Sequence, residues 1–219
     1  MSDPVVYVVD DEESIQRLLS RLLKSVGLEV ETFSGAQDFL SRYSASCRPA
    51  CLVSDIRMPG MSGLALQREL QLREAGIPIL FLTGYADVAT CKQAMKRGAL
   101  DFLEKPFNEQ ELLDLVYLAL ERDQRALEQN AREQVIQQRH QRLTPRERQV
   151  LDLVALGLLN KQIAGELNIS EGTVKVYRAN VMEKMEAGSL PELVRMSQQL
   201  RSGERVANGN GKDPAVNFH

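Results

Sequence analysis

Tryptophan is absent from the 219 residues, and aromatic residues together make up only 5%. A core must therefore be built from Leu, Val, Ile, Ala and Met. Histidine occurs only as His140 and His219, and cysteine only as Cys47, Cys51 and Cys91. Three cysteines without metal-ligand spacing, and with no His beside them, indicate neither a disulfide framework nor a zinc site. Reduced, partly buried thiols are expected. The opening MSDPVVYVVDDEE has no basic segment followed by a long apolar one, and no run approaches the length of a membrane span. A soluble, cytoplasmic protein with no membrane partner is the expectation. The turn after the first apolar run is Asp-Asp-Glu-Glu rather than glycine-rich, which argues against a nucleotide-binding α/β domain.

Positive charge is scarce in one half only. Residues 1–121 hold 12 Lys and Arg against 18 Asp and Glu, a net of −6, whereas residues 122–219 hold 15 against 12, a net of +3. An acidic front and a mildly basic back suggest two modules with different partners.

The front alternates strand and helix signals. Val5-Val6-Tyr7-Val8-Val9 is a β-branched run typical of a strand buried on both faces. Ile15, Leu18, Leu19, Leu22, Leu23 and Val26 then recur at helical spacing until Gly27. The pattern predicts further strands at 28–33, 50–54, 77–82 and 100–103, with helices at 36–43, 64–73, 87–96 and 109–120. Five βα units imply a parallel sheet covered on both faces, doubly wound in the flavodoxin-like manner. Residues 122–142 are rich in Gln and lack Gly and Pro, and read as a solvated helical linker with a thin apolar stripe of Leu127, Ala131 and Val135. Thr144-Pro145-Arg146-Glu147 is a capping box that opens a small all-α domain of four helices over 143–201. The remainder, 202–219, rich in Gly and Asn, is expected to be disordered.

Ligands of open parallel sheets gather at the carboxyl ends of the strands. Here those ends carry Asp10-Asp11, Asp55, Thr83-Gly84 and Lys105-Pro106. A strand-end acid can serve simply as a helix cap, and a strand-end Thr is often structural. Four polar signals in matching positions argue instead for a built site. Clustered carboxylates repel one another, and a hard divalent cation such as Mg²⁺ relieves that repulsion. Asp55 then becomes a nucleophile towards phosphorus, with Thr83 donating to the phosphoryl group, Lys105 neutralising it and Gly84 leaving it room. Pro59-Gly60 turns the chain away and keeps Asp55 reachable. A phosphatase with an Asp nucleophile is the alternative, but it would carry a second acid where Arg57 stands.

In the back module, NKQIAGELNISEGTVKVYRANVMEKM reads as helix, tight turn, helix. Asn160 is expected to cap the first helix and Ser170 the second. Val174, Tyr177, Val181 and Met185 share the inner face of the second helix, while Lys175, Val176, Ala179 and Glu183 point outward. A small outward surface with a cation suits a helix in the major groove, and Arg178 can reach a phosphate from the flank. A protein-binding helical bundle is the alternative.

The segments VVYVVDDEES, LVSDIRMPGMSGL, PILFLTGYAD and GALDFLEKPFNEQEL resemble the receiver domain of two-component response regulators. LTPRERQVLDLVALGLLNKQIAGELNISEGTVKVYRANVMEKM is similar to the LuxR/NarL DNA-binding domain, FixJ branch. The resemblance implies that the chain is not an enzyme in the usual sense. It accepts phosphate on Asp55 from a sensor histidine kinase, assisting its own phosphorylation and dephosphorylation. It also implies that Asp11, Asp55 and the backbone carbonyl of Arg57 hold Mg²⁺ with help from Asp10, that Thr83 and Phe102 form a switch, and that Lys105–Pro106 is cis. By the same carry-over, 171–186 is the recognition helix, and Asn160, Lys161 and Thr173 hold the backbone of double-stranded DNA, with RNA polymerase a further partner. Ala179 stands where several relatives carry a basic residue. Phosphorylation is expected to pair two copies through a face including Val88, Cys91, Lys92 and Met95.

Overall fold

In the computed structural model, the described residues are 3–44, 49–84 and 88–207, with backbone alone for 88 and 202–207. The chain divides into two units, Met1–Glu128 and Gln129–His219.

The first unit alternates β1 (Val5–Val9), α1 (Glu13–Ser25), β2 (Glu29–Phe33), α2 (Ala36–Arg42), β3 (Ala50–Asp55), α3 (Gly63–Leu72), β4 (Ile79–Thr83), α4 (Val88–Lys96) and β5 (Asp101–Glu104). The helix that follows, α5, runs Glu109–Gln141. All strand pairs are parallel, in the order β2-β1-β3-β4-β5. Strand alternation sorts the core into two layers. Val5, Tyr7 and Val9 join Phe33, Phe39, Leu52 and Phe81 on one face. Val6 and Val8 join Leu19, Leu23, Val53, Leu80, Leu112 and Val116 on the other. Strands β1, β3 and β4 are buried throughout, which explains why they read as continuous apolar runs. Cys51 and Cys91 are free thiols within this unit, both buried, while Cys47 lies outside the described residues.

The boundary at residue 120 differs from the sequence reading. The receiver-side helix does not stop at residue 120 but is continuous with the segment read as a linker, because nothing from 109 to 141 breaks a helix. Within the thin stripe assigned to that segment, Val135 is exposed, and its neighbour Ile136 enters the core of the second unit instead. Asp123 shows that the early part of the segment is not merely solvated: its carboxylate accepts from the Ala50 amide at the head of β3 at 2.8 Å. Burial lifts its pKa above the ordinary value, against the opposing pull of that bond.

The second unit contains the end of α5 followed by α6 (Pro145–Ala155), α7 (Asn160–Leu167), α8 (Glu171–Met185) and α9 (Leu190–Ala207). Its core joins Ile136, Leu143, Val150, Leu151, Val154, Ile163, Val174, Val181, Met185 and Leu193. Helix α9 extends six residues into the segment read as a disordered tail, and 208–219 lie outside the described residues. Asn168, with φ 52° and ψ 51°, closes α7 in the left-handed conformation and makes the tight turn. Ser170 caps α8 by accepting the Thr173 amide at 3.0 Å.

The capping box at α6 is present: Glu147 N donates to Thr144 Oγ1 at 3.3 Å and Thr144 N to Glu147 Oε2 at 2.8 Å. Its carboxylate has a second task that the sequence did not suggest. Lys184, from the last turn of α8, donates to Glu147 at 2.7 and 2.9 Å and so ties α8 to the start of α6. Burial pushes the Glu147 carboxyl up, but Lys184 and Thr144 outweigh it, and its pKa lies below the ordinary value of 4.5. A depressed carboxylate contributes its full stability above the unfolded-chain pKa and loses it as pH falls through the folded one. Glu147→Gln keeps an acceptor for Thr144 but loses the ionic partner. It is expected to cost about 1–2 kcal/mol at neutral pH, after allowance for the partly exposed Lys184 end. The gap from wild type should close below about pH 4. Urea denaturation followed by circular dichroism at both pH values checks this.

Candidate functional site

The carboxyl ends of β1, β3, β4 and β5 bring together the residues singled out from the sequence. Asp10 follows β1 and is 1% exposed, Asp55 ends β3 at 7%, and Thr83 ends β4 at 1%. Lys105 follows β5, with its side chain 13% exposed. Its ammonium donates to Asp10 Oδ2 at 2.7 Å and to Asp55 Oδ2 at 2.6 Å, and Glu12 Oε1 lies 3.7 Å away. The Lys105–Pro106 bond is cis, as the resemblance implied.

Backbone contacts fix the carboxylates further. Asp10 Oδ1 accepts the Glu12 amide at 2.9 Å, and Asp55 Oδ1 accepts the Arg57 amide at 2.8 Å. From α1, Gln16 Nε2 donates to the Asp10 carbonyl at 2.7 Å, a contact the sequence reading missed. Gly63, where α3 begins, is also a positional residue. A Cβ there would stand 2.3 Å from the Asp55 carbonyl oxygen, so only glycine lets α3 start against the backbone of this acid. Gly60, with φ 76°, makes the turn between them. At Gly84 an added Cβ would meet nothing within 4 Å, so the space beside Thr83 is open.

Electrostatically the cluster is short of positive charge. Carboxylate oxygens of Asp10, Asp11 and Asp55 lie within 4.8 Å of one another, and Asp11 is exposed. Burial pushes the Asp10 carboxyl above its ordinary pKa, with Asp55 adding to the effect, although Lys105 and the Glu12 amide pull it down. Burial alone would lower Lys105, but its bonds to Asp10 and Asp55 prevail and hold it ammonium. Three hard oxygen donors, two of them buried and Asp11 exposed, with one ammonium among them, fit a small divalent cation.

Phe102 is half-buried against the layer that contains Phe81, and its amide donates to Asp101 Oδ1 at 2.8 Å. On α4, Lys92 and Met95 are exposed. Cys91 is not part of that surface: with Ala94 it forms the buried face of the helix, at 5% and 0% exposure. Only the backbone of Val88 is described.

In the second unit, α8 buries Val174, Val181 and Met185 and half-buries Tyr177. Lys175, Val176, Ala179 and Glu183 are exposed, Val176 to 59%. The Thr173 and Ser170 hydroxyls pair at 2.8 Å, and Lys161 is exposed. Asn160 does not cap α7. Leu159 occupies the cap position, its amide satisfied by Gln162 Oε1 at 2.8 Å. Asn160 is instead the first helical residue, and its Oδ1 accepts from Arg178 Nη1 at 2.9 Å.

An open parallel sheet with an acid cluster at its carboxyl rim, joined to a helix-turn-helix, defines a receiver coupled to a DNA-binding module. Comparison with known proteins agrees. Residues 6–117 match the response regulator receiver domain, and residues 141–197 match the luxR family of bacterial regulatory proteins. Nodulation protein W of Bradyrhizobium diazoefficiens is 47% identical over 196 residues, covering 90% of this chain and 86% of its own length. Transcriptional regulatory protein FixJ of the same species is 43% identical over 198 residues, covering 90% and 95%. The solved structure of the response regulator StyR has a TM-score of 0.81 at 45% identity, covering 90% of this chain and all of that one. The chain belongs to the response regulators with a luxR-type DNA-binding domain, and is a transcriptional regulator of a two-component system. Among the described residues, no helix is long and apolar enough to cross a membrane.

Proposed function

We propose that Asp55 is the phosphoacceptor and that its phosphorylation sets the chain's affinity for DNA. The observation that carries the reading is the Lys105 ammonium bridging Asp10 and Asp55 beside a third carboxylate, Asp11. An oxygen of Asp55 forms the new O–P bond while the P–N bond to a histidine of the sensor kinase breaks, and the imidazole leaves. Lys105 exchanges a carboxylate for the incoming phosphoryl oxygens, and the Thr83 hydroxyl donates to them. Asp11, Asp55 and the Arg57 carbonyl would hold Mg²⁺, with Asp10 ligating directly or through water. When bound, the ion supplies positive charge to the phosphoryl oxygens. The same residues serve self-phosphorylation from small donors and the return hydrolysis by water.

Movement of Thr83 towards the phosphoryl group lets Phe102 turn inward and reshapes the face of α4 and β5. Two receivers pair there, with Val88, Lys92 and Met95 as contacts. Two helix-turn-helix units on one DNA then bind with avidity that neither has alone. Lys175, Val176 and Ala179 face the base edges, while Lys161, Thr173, Asn160 and Arg178 hold the phosphates. DNA as a partner supports a cytoplasmic location and RNA polymerase as a further partner.

The test is selection from a random DNA pool by the full chain with acetyl phosphate and Mg²⁺. We expect a two-half-site sequence to be enriched, and to be enriched far less without the phosphodonor. Equal enrichment in both arms would overturn the coupling.

A further inference from the structure

We infer that Gln67 is a positioning residue that pins the C-terminal end of α4, so that phosphorylation makes this helix pivot rather than slide; the inference rests on the reading of Asp55 and α4 above. Gln67 lies in α3 and is 1% exposed. A long polar side chain is rarely placed so deep without a task. Its Nε2 donates to the Ala94 carbonyl at 3.1 Å and to the Arg97 carbonyl at 3.3 Å. One turn on, Gln71 Nε2 also donates to the Arg97 carbonyl. Helix ends leave their last carbonyls short of intrahelical partners. Here a neighbouring helix supplies donors to the Arg97 carbonyl and a further one to the Ala94 carbonyl, which also accepts the Ala99 amide at 3.1 Å.

Gln67 does this at a cost. Its Oε1 is buried with no hydrogen-bond partner, alone in that respect among the described buried side-chain atoms. Turning the amide over would aim that oxygen at two carbonyls and lose both bonds, so the orphan atom is inherent in the contact. An apolar side chain of the same size would fill the space with no polar atom of its own to satisfy, but would withdraw the donor from both carbonyls. The carbonyls of α4 are therefore what this position serves.

The opposite ends of the two helices complete the argument. Helix α3 starts hard against the phosphoacceptor: Gly63 N donates to the Ile56 carbonyl at 2.9 Å, and a Cβ would collide with Asp55 O at 2.3 Å. It is bonded to the residue after Asp55 and packed against the Asp55 backbone at one end, and holds the end of α4 further along. The C-terminal end of α4 is also closed on itself, through Ala99 N to Ala94 O at 3.1 Å, and the chain joins the sheet at the next residue, through Leu100 N to Ile79 O at 2.8 Å. The start of α4 lies just past Thr83 and Gly84, on the side where the phosphoryl group arrives. A helix held at its far end and pulled near its beginning rotates about the held end. Displacement is then largest around Val88 and smallest around Met95.

The test compares Gln67→Leu and the milder Gln71→Ala with wild type in the full chain, using acetyl phosphate and Mg²⁺. The readouts are phosphoryl incorporation, the dimer dissociation constant by analytical ultracentrifugation, and hydrogen exchange across 94–100. We expect both variants to incorporate phosphate as wild type does. In Gln67→Leu, exchange across 94–100 should rise about tenfold, and the ratio of dimer dissociation constants without and with phosphate should fall about tenfold. Gln71→Ala should shift both in the same direction by less. A purely structural role would lower stability and leave that ratio unchanged, which would overturn the inference. If Gln67→Leu does not fold, an unchanged ratio in Gln71→Ala overturns it equally. Wild-type protein that takes up no phosphate, or does not dimerise when it does, would instead refute the underlying reading.

Discussion

Asp55→Asn is expected to abolish phosphoryl incorporation and to hold DNA affinity at its resting level, whatever the phosphodonor concentration. Asparagine keeps the size of the side chain and one oxygen, which can still accept from the Arg57 amide as Asp55 Oδ1 does at 2.8 Å. It lacks the anionic oxygen that the proposed role of Asp55 requires for a bond to phosphorus. Because paired modules gain avidity, the phosphorylated wild type should exceed the variant in affinity for a two-half-site DNA by at least about 100-fold. Intact-protein mass spectrometry and gel-shift titration measure the two effects separately. A phosphoryl group of undiminished occupancy in the variant would place the acceptor on another side chain.

Lys105→Met is expected to make stability depend on Mg²⁺. The ammonium now bridges Asp10 and Asp55, whose side chains are 1% and 9% exposed. Its removal leaves two buried carboxylates beside Asp11 with no counter-charge. Breaking such a contact from one side costs about 3–5 kcal/mol, here reduced because Asp10 can take up a proton. A divalent ion restores what the ammonium supplied, and it binds the folded chain alone, so added Mg²⁺ should raise the melting temperature of the variant more than that of wild type. The variant should also fail to switch, because no cation at the end of β5 then follows the phosphoryl group. Scanning calorimetry with EDTA and with excess Mg²⁺ tests this, and equal shifts in the two proteins would count against an ammonium-for-metal exchange.

Much of the first unit was legible because its strands are buried on both faces. Val5–Val9 and Ile79–Thr83 carry the β-branched and large apolar residues such burial demands, and polar residues appear only where the strands end. The same contrast exposed the site, since Asp10 and Thr83 are each the first polar group after an apolar run, and Asp55 and Lys105 follow one residue later, after Ser54 and Glu104. What escaped depends on contacts between residues distant in sequence. Periodicity put Cys91 on a face of α4 but did not say that this face is covered. Composition gave 122–142 helical character, yet the choice of Ile136 over Val135 for the core is made by helices that follow it. Asn160 looked like a cap from its neighbours alone, whereas its partner is Arg178, eighteen residues on. Gln67 and Gln71 carried no local signal, because their acceptors lie on the next helix.

The Asn160–Arg178 contact bears on how DNA would be met. A free arginine samples many rotamers and must give most of them up when it grips a phosphate. Here an amide oxygen on the neighbouring helix already steadies the guanidinium at 2.9 Å, and the Thr173 hydroxyl is likewise anchored to Ser170. The protein has frozen these side chains while folding, so the encounter with a duplex begins from a stiff mould.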